Sequence, residues 1–386
     1  MNEDWIQKKI SESTKLGLKR TAVPQPFTGG IIDNGGKRII NFSGNDYLNL
    51  SNHPYIIERS RKALEKYGCG STASRLVSGT LPIHEELERH IAISKNQETT
   101  LVYGSGYLTS LGTIPSLVNH RDIIFADRLI HACMIDGCRL SGAKLVRFHH
   151  NNMDDLKSRI EKYPSNGNRR LILTESLFSM DGDISPLTEI AEIAKENNAM
   201  LMVDEAHAMG IYGSNGNGRV AENNLQSQTT VTMGTLSKAL AGYGGYVCCS
   251  NPMRDYLINT SRSFIYTTAP PPAQIGAALG ALELLKKEPT LGDQLLKKAD
   301  QFRKHLHINE INTLNSVSHI IPILIGDNYE TVNIANKLKE QDILVGAIRP
   351  PTVPKGTARL RISLSLAHSD DDISQAAETI IRTIHS

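Results

Sequence analysis

The strongest constraint in this sequence is an alternation of short apolar runs and longer helical segments between about residues 46 and 270. The helical segment at 186–197 begins with Pro186, a residue that suits the first turn of a helix. Such alternation is typical of a mostly parallel sheet that helices cover on both faces. The apolar runs that we interpret as buried strands are residues 122–126, 144–148, 171–174, 200–203, 230–233 and 245–249.

The pattern changes on both sides of this central region. Residues 1–45 are interpreted as an N-terminal segment with an amphipathic helix, a turn-rich stretch and short strands. Three prolines at 270–272 are followed by an Ala- and Leu-rich helix at 273–287, a charged helix, and strands at 320–325 and 359–365. We therefore expect an α/β fold with a large domain at 46–280 and a smaller C-terminal α+β domain at 281–386.

Charge and hydropathy exclude several functional classes. The net charge is only +2 without a run of five like charges, so neither a nucleic-acid surface nor a polybasic membrane anchor is expected. No run of eighteen apolar residues is present, and the N-terminal helix lacks the apolar core of a signal peptide. The five cysteines form no CxxC pair, which favours a reducing, cytoplasmic location. His131, Cys133 and Cys138 lack a fourth ligand nearby, so we expect no metal site.

Two charged residues follow predicted strands, at the edge where open α/β sheets bind ligands. Asp204 follows the fourth of these strands and Lys238 follows the fifth. An enzyme that uses pyridoxal phosphate (PLP) needs a lysine for the Schiff base and an acid at the pyridine nitrogen. It also needs donors for the phosphate and a flat group over the ring. In that order, the candidates are Lys238, Asp204, the turn at 104–107 (GSGY) with Thr235, and His131.

Each of these features also has a structural interpretation. A strand-terminal aspartate such as Asp204 is most often a helix cap or turn residue, GSGY alone is a helix N-terminus, and a lone histidine is usually a hydrogen-bonded core residue. Other motifs fail in detail. DEAH at 204–207 lacks the GxxxxGK[ST] loop that a helicase needs, Lys238 lacks the serine of an SxxK signature, and GSG at 104–106 lacks the third glycine of a dinucleotide fingerprint. The PLP hypothesis therefore depends on the order and spacing of the residues together.

These residues belong to a longer set of motifs in which the chain resembles the α-oxoamine synthases. Members of that family are fold type I PLP-dependent transferases, which join an amino acid to an acyl thioester with loss of carbon dioxide. The resemblance extends over nearly the whole chain and implies a homodimer with active sites at the subunit interface. The motifs are residues 45–48 (NDYL), 70–79 (GSTASRLVSG), 84–88 (HEELE), 105–107 (SGY), 127–131 (DRLIH), 174–183 (TESLFSMDGD), 203–207 (VDEAH), 235–240 (TLSKAL) and 265–268 (IYTT).

The resemblance implies a set of residues that hold and use the cofactor. Lys238 would bind PLP and later act as the base, Asp204 would pair with the pyridine nitrogen, and His131 would stack on the ring and meet the substrate. The remaining cofactor-binding residues would be Gly106, Tyr107, Thr235, His207 and Ser179, with Thr267 and Thr268 completing the phosphate site of the other subunit.

The resemblance also implies a substrate side. Arg361 would hold the carboxylate of the amino acid, Asn45 the acyl or ketone oxygen, and Arg20 and Thr352 would line the entrance of the acyl thioester. The segment at 347–361 looks most like the family member that combines L-alanine with a pimeloyl thioester, carried on CoA or on a carrier protein. Relatives that use glycine, such as a glycine C-acetyltransferase, and a PLP-fold protein without catalysis are the alternatives.

One departure concerns the acyl chain. Some members of the family have histidine where this chain has Arg75. The difference does not affect the cofactor residues, but it leaves open which groups contact the acyl chain.

Overall fold

The computed structural model describes residues 3–25, 29–34 and 36–385 of the protein. Residues 26–28, within the turn-rich stretch, lie outside the described part. The helices are α1 (Asp4–Lys15), α2 (Pro54–Tyr67), α3 (Pro82–Lys95), α4 (Gly106–Leu117), α5 (Ala132–Ser141), α6 (Met153–Lys162), α7 (Leu187–Glu196), α8 (Arg219–Glu222), α9 (Asn251–Thr260), α10 (Arg262–Ile265), α11 (Pro272–Lys287), α12 (Leu291–Ile308), α13 (Asn328–Glu340) and α14 (Asp370–His385). The strands are β1 (Ile31–Asn34), β2 (Lys37–Asn41), β3 (Thr99–Tyr103), β4 (Ile123–Asp127), β5 (Lys144–Phe148), β6 (Arg170–Glu175), β7 (Met200–Asp204), β8 (Val231–Thr235), β9 (Gly245–Cys249), β10 (Ile320–Gly326), β11 (Ile343–Leu344), β12 (Gly346–Ile348) and β13 (Ala358–Ser363).

A seven-stranded sheet in the order β3-β9-β8-β7-β6-β4-β5 forms the centre of the larger part of the chain. Only β9 runs antiparallel to its neighbours, β3 and β8, while the other pairs are parallel. The expected α/β class with a mostly parallel sheet is therefore confirmed, and each of the six predicted strands is present. The edge strand β3 was missed because it begins with two threonines, which interrupt the apolar run that marks its neighbours.

Central strands such as β4 are apolar and buried along their length because helices cover both faces of the sheet. In β4, Ile124 and Ala126 pack into a cluster with residues of α4 and α5. The alternate residues Ile123 and Phe125 pack into a second cluster with residues of α6 and α7. Burying each large apolar side chain contributes about 1.5–3 kcal/mol, so both faces stabilise the sheet.

The parallel strands β6, β7 and β8 bring their carboxyl ends to the same edge of the sheet. Their register aligns Glu175 with Asp204, and Asp204 with Met233. Ligands of open α/β sheets bind at such an edge. Residues at these three strand ends therefore define the place at which a site is expected.

The chain forms two compact units. The sheet unit contains Leu50–Phe178 and Ile184–Asp293, and the terminal unit contains the residues up to Asn49, Ser179–Asp183 and the residues from Gln294 onward. This differs from the expected division, in which residues 1–45 stood apart and a boundary fell at 281. The N-terminal strand β2 pairs with the C-terminal strand β11, and position 281 lies inside the continuous helix α11.

The terminal unit has the expected α+β composition. Its strands form two three-stranded sheets, β1-β2-β11 and β10-β13-β12. Arg38 of β2 forms an ion pair with Asp372 at the start of α14, and its Nη2 lies 2.7 Å from Asp372 Oδ2. Non-local strand pairing and this ion pair join the two ends of the chain. In the part of the chain that the structure describes, no helix is both long and apolar enough to cross a membrane.

Candidate active site

A cavity of about 210 Å³ in the sheet unit lies at the carboxyl ends of β6, β7 and β8. It brings together seven of the residues predicted from the sequence: Gly106, Tyr107, His131, Asp204, His207, Thr235 and Lys238. The other described residues of its lining are Ser105, Cys133, Glu175, Ala206, Met233 and Ser237.

Lys238 and Asp204 are the charged centre of this cavity. Lys238 Nζ lies 2.7 Å from Nε2 of His207, which is itself 6% exposed. Asp204 is buried, and its Oδ1 accepts a 2.8 Å hydrogen bond from the N–H of Ala206. Burial raises the pKa of Asp204, while the Lys238 ammonium, the Ala206 N–H and His131 act in the opposite direction. The cation therefore favours the ionised form of Asp204, which an acid at a pyridine nitrogen requires.

His131 is fixed by the start of α5. Its Nδ1 accepts a 3.2 Å hydrogen bond from the N–H of Cys133, and Cys133 Sγ lies 3.0 Å from the same nitrogen. A ring nitrogen that accepts from a backbone N–H carries no proton, so a neutral His131 carries its proton on Nε2. Desolvation by the surrounding protein lowers the pKa of His131, and the Lys238 ammonium adds to this effect. A neutral, flat ring is thus held at the edge of the cavity.

The N-terminus of α4 supplies hydrogen-bond donors to the cavity. Ser105 caps the helix, and its Oγ accepts a 3.1 Å hydrogen bond from Leu108. The N–H groups of Gly106 and Tyr107 belong to the first turn, whose N–H groups have no carbonyl partner within a helix. Thr235 Oγ1 lies 2.7 Å from Ser237 Oγ and donates to the carbonyl of Gly244. Free N–H groups together with hydroxyls form a typical phosphate site.

The donor set of the cavity fits PLP. An amine, a carboxylate, a neutral imidazole and a helix N-terminus with two hydroxyls are the groups that an aldehyde, a pyridine nitrogen, a flat ring and a phosphate require. A buried carboxyl oxygen of the lining, Glu175 Oε1, also has no hydrogen-bond partner among the described residues. These residues could therefore hold the cofactor.

A second group of predicted residues meets in the terminal unit. The guanidinium of Arg361, on β13, is buried and donates from Nε to the carbonyl of Ser179 at 2.7 Å. Its Nη2 lies 3.3 Å from Asn45 Oδ1, which also accepts from the hydroxyl of Tyr47. None of the described carboxylates lies within ion-pair distance of Arg361. A buried cation without a carboxylate partner is costly, so this site is suited to an anionic ligand.

Arg20 and Thr352, which are distant in sequence, also meet in the terminal unit. Nη2 of Arg20 lies 3.2 Å from Oγ1 of Thr352. Arg349 donates from Nη1 to the carbonyl of Gly17 at 2.5 Å. Partial burial lowers the pKa of Arg349, and the charge of Arg20 lowers it further. The two guanidinium groups therefore form a local concentration of positive charge.

Thr267 and Thr268 lie elsewhere. They follow α10, and Thr268 forms an isolated antiparallel bridge with Ser74. Neither belongs to the cavity lining of its own chain. Their expected role in the phosphate site of another subunit stays a prediction.

Arg75 has a structural role in this chain. It is buried, its Nη1 lies 2.9 Å from Glu88 Oε1, and its Nε donates to Thr80 Oγ1 at 2.9 Å. Glu88 also accepts the N–H of Val102. In this chain Arg75 therefore belongs to a buried ion pair with Glu88.

Two buried residues beside the site were missed in the sequence. Glu175 ends β6 as Asp204 ends β7, so its position at a strand end marks it as a candidate in the same way. Glu205 follows Asp204, but its Oε2 binds Lys95 Nζ at 2.6 Å and its Oε1 accepts the N–H of Val220. Nothing in the local sequence marks Lys95 as its partner, because 110 positions separate them.

Comparisons with known proteins agree with this geometry. A family model for class I and II aminotransferases matches residues 37–380. A putative 8-amino-7-oxononanoate synthase of Desulforudis audaxviator is 43% identical over 371 residues, 96% of each chain. The 8-amino-7-oxononanoate synthase of Methylobacterium nodulans is 41% identical over 377 residues, 97% of this chain and 95% of the relative.

Solved structures are similar over most of the chain. A variant of serine palmitoyltransferase from S. paucimobilis, with bound PLP and myriocin, has a TM-score of 0.91 at 27% identity and covers 99% of this chain and 97% of its own. The crystal structure of 8-amino-7-oxononanoate synthase from Francisella tularensis has a TM-score of 0.79 at 31% identity, with coverage of 90% and 98%.

Proposed function

The chain belongs to the class I and II aminotransferase family and, within it, to the 8-amino-7-oxononanoate synthases, and on this premise we propose its reaction. L-alanine condenses with a pimeloyl thioester to give 8-amino-7-oxononanoate, carbon dioxide and the free thiol, a step of biotin biosynthesis. The cofactor is PLP. The observation that carries the proposal is that Lys238, Asp204 and His207 meet in one cavity.

When bound, PLP supplies an electron sink for the electron pair that remains on the α-carbon of the amino acid. Asp204 would keep a proton on the pyridine nitrogen through its negative charge. Lys238 would hold the cofactor and would take the proton from the α-carbon of alanine. His207 Nε2, 2.7 Å from Lys238 Nζ, accepts a hydrogen bond from that amine and so orients it.

The terminal unit supplies the groups that bind substrate. Arg361 holds the carboxylate of alanine, for which its buried and unpaired charge is suited. Asn45, whose Oδ1 contacts the same guanidinium, binds the acyl oxygen in this proposal. Arg20 and Thr352 bind the acyl thioester, with the positive charge of Arg349 beside them.

Two properties of the assembly belong to the same proposal. The protein acts as a homodimer in this proposal, in which Thr267 and Thr268, which do not line the cavity of their own chain, serve the phosphate site of the partner. It acts in the cytoplasm, since the five cysteines are all free thiols. Light scattering on the active protein measures its molar mass and so tests for the dimer. A monomer with full activity would exclude an active site shared between subunits.

The decisive experiment is an absorbance titration of the purified holoenzyme with alanine, glycine and serine, followed by product analysis with pimeloyl-CoA. We expect alanine to perturb the cofactor spectrum and to give 8-amino-7-oxononanoate. Faster turnover of glycine with acetyl-CoA would instead make the protein a glycine C-acetyltransferase. The same assay with a pimeloyl carrier protein in place of pimeloyl-CoA identifies the natural acyl donor. The donor with the lower KM is the natural one.

An Arg361→Lys variant tests the carboxylate site. Lysine keeps the charge but loses the planar, bidentate donor geometry of the guanidinium. The KM for alanine should therefore rise roughly tenfold to hundredfold. The KM for pimeloyl-CoA should stay within about twofold. An equal rise in both constants would contradict the assignment.

A further inference from the structure

Glu175 is a lining residue of the cavity to which the proposed reaction gives no task. It ends β6 and faces Asp204 in the register of β6 and β7. The residue is only 2% exposed. A long polar side chain in such a place requires hydrogen-bond partners.

One oxygen of the Glu175 carboxyl group lacks such a partner within the described chain, while the carboxyl accepts a hydrogen bond from the backbone N–H of His131. Its Oε1 is buried and has no hydrogen-bond partner among the described residues. No lysine, arginine or histidine in the described part of the chain forms an ion pair with it. The hydroxyls of Thr174 and Ser185 bind its backbone carbonyl and leave the carboxyl untouched.

The surroundings of Glu175 favour its neutral form. Burial raises the pKa of Glu175 well above its usual range, and the nearby carboxylate of Asp204 raises it further. The Lys238 ammonium and a hydrogen bond from the backbone N–H of His131 oppose this rise without cancelling it. Two neighbouring carboxyls that share one cation divide into an ionised and a protonated member. Asp204 is the ionised member, because the Lys238 ammonium is the strongest influence against the rise of its pKa, whereas for Glu175 the charge of Asp204 adds to the effect of burial.

We propose that Glu175 is a cofactor-binding residue whose neutral carboxyl forms a hydrogen bond through Oε1 with the ligand of the cavity. This inference rests on the proposed function, since it takes that ligand to be PLP or PLP joined to the amino acid. Oε1 has no hydrogen-bond partner in the part of the chain that the structure describes, and Glu175 lines the cavity. A ligand bound in the cavity would therefore supply the partner that Oε1 lacks. Asp204 then keeps the only negative charge among the strand-end carboxyls that line the cavity.

Two substitutions separate this role from others. Glu175→Gln keeps a neutral group of the same length that can donate and accept, while Glu175→Leu removes both capacities at similar volume. Thr100→Val is the matched control, because Thr100 is buried in the same sheet outside the cavity and loses its contact with Cys248 Sγ.

The measurement is the dissociation constant of PLP from the apo-protein, followed by fluorescence between pH 6 and 9. We expect Glu175→Gln and Thr100→Val to stay within about twofold of wild type, and Glu175→Leu to bind at least about tenfold more weakly. The profiles of wild type and Glu175→Gln should coincide. Thermal unfolding of the apo-proteins checks that each variant is folded.

Two results would overturn the inference. Wild-type affinity in a folded Glu175→Leu variant would show that Oε1 binds only water. An equal loss in Glu175→Gln and Glu175→Leu, or a divergent pH profile for Glu175→Gln, would show that the working group is a carboxylate. Failure of the wild type itself to bind PLP would instead contradict the proposed function, so the two failures are distinguishable.

Discussion

The sheet unit contains two regions in which a lysine lies near a carboxylate, and their carboxylates, Asp204 and Glu205, are adjacent in sequence. The two regions differ in their surroundings. Asp204 lines the cavity with Lys238, whereas Glu205 is enclosed with Lys95, where the side chains are 0% and 2% exposed. Both oxygens of Glu205 are bound, one by Lys95 and one by Val220. Gly218 (φ +91°) closes this pair so tightly that a Cβ would lie 2.4 Å from Glu205 Oε2.

The difference shows how one sheet separates chemistry from stability. In the cavity, several neighbouring groups have displaced pKa values, among them Asp204, Glu175, His131 and Cys133. The enclosed pair of Lys95 and Glu205 has complementary charges and no room for a ligand. We therefore expect substitutions in the cavity to change turnover and substitutions in the enclosed pair to change folding.

The largest effect is expected from Lys238→Ala. Without the amine, both the attachment of PLP and the removal of the α-proton are lost, so kcat should fall by roughly 10⁴-fold or more. The visible absorbance of lysine-bound PLP should disappear, while the midpoint of thermal unfolding changes by only a few degrees. Persistence of that absorbance would contradict the assignment of Lys238.

The opposite result is expected from Lys95→Met. Removing one partner leaves the Glu205 carboxylate buried and unpaired, which should cost about 3–5 kcal/mol of unfolding free energy. Urea unfolding measures this loss. The fraction that stays folded should still bind PLP and turn over within a few-fold of wild type. If Lys95→Met lost turnover but kept the stability of wild type, the enclosed pair would serve catalysis and the two regions would not differ in role.

Asp204→Asn should have an intermediate effect. The amide has nearly the same volume but no charge to hold a proton on the pyridine nitrogen, so kcat should fall by roughly 10²–10³-fold. Its neighbour provides the control, because Glu205→Gln should lower stability more than turnover. A near-normal rate in Asp204→Asn would contradict the electron-sink role.

The smallest effect is expected when a third pair, Arg38 and Asp372, is removed. Solvent screens this ion pair because the Arg38 side chain is half-exposed. The ion pair with Arg38, helped by hydrogen bonds from Ser369, lowers the pKa of Asp372 to about 2, against about 3.9 in an unfolded chain. Its stabilisation, about 1–2 kcal/mol after solvent screening, is therefore complete above pH 4 and is lost as the pH falls towards 2. Arg38→Ala should remove this part of the acid dependence of urea unfolding. An unchanged acid profile would show that the pair contributes nothing.

The sequence predicted the sheet and most of the cavity because both depend on local patterns. Strands such as β4 are buried on both faces and so appear as uninterrupted apolar runs. Asp204 and Lys238 were found because strand ends of a parallel sheet share an edge, and Glu175 could have been found by the same reasoning. Lys95 and the partner of Arg75 could not, since no local signal encodes contacts between distant side chains.

The division into units depends on still longer range. The pairing of β2 with β11 and the inclusion of residues 179–183 in the terminal unit follow from hydrogen bonds between segments far apart in sequence. Neither apolar periodicity nor turn residues specify such pairing. The predicted boundaries therefore followed changes of composition, whereas the units follow contacts.

The parallel pairing of β2 with β11 also has a consequence for biosynthesis. Ile40 pairs with Ile343, so a ribosome must add about 300 residues, for roughly 15–60 s, before the partner strand of β2 exists. Throughout that time one edge of β2 is open to pairing with other chains. We therefore expect nascent chains stalled before β11 to bind chaperones through their N-terminal hairpin, although the central sheet has already been synthesised.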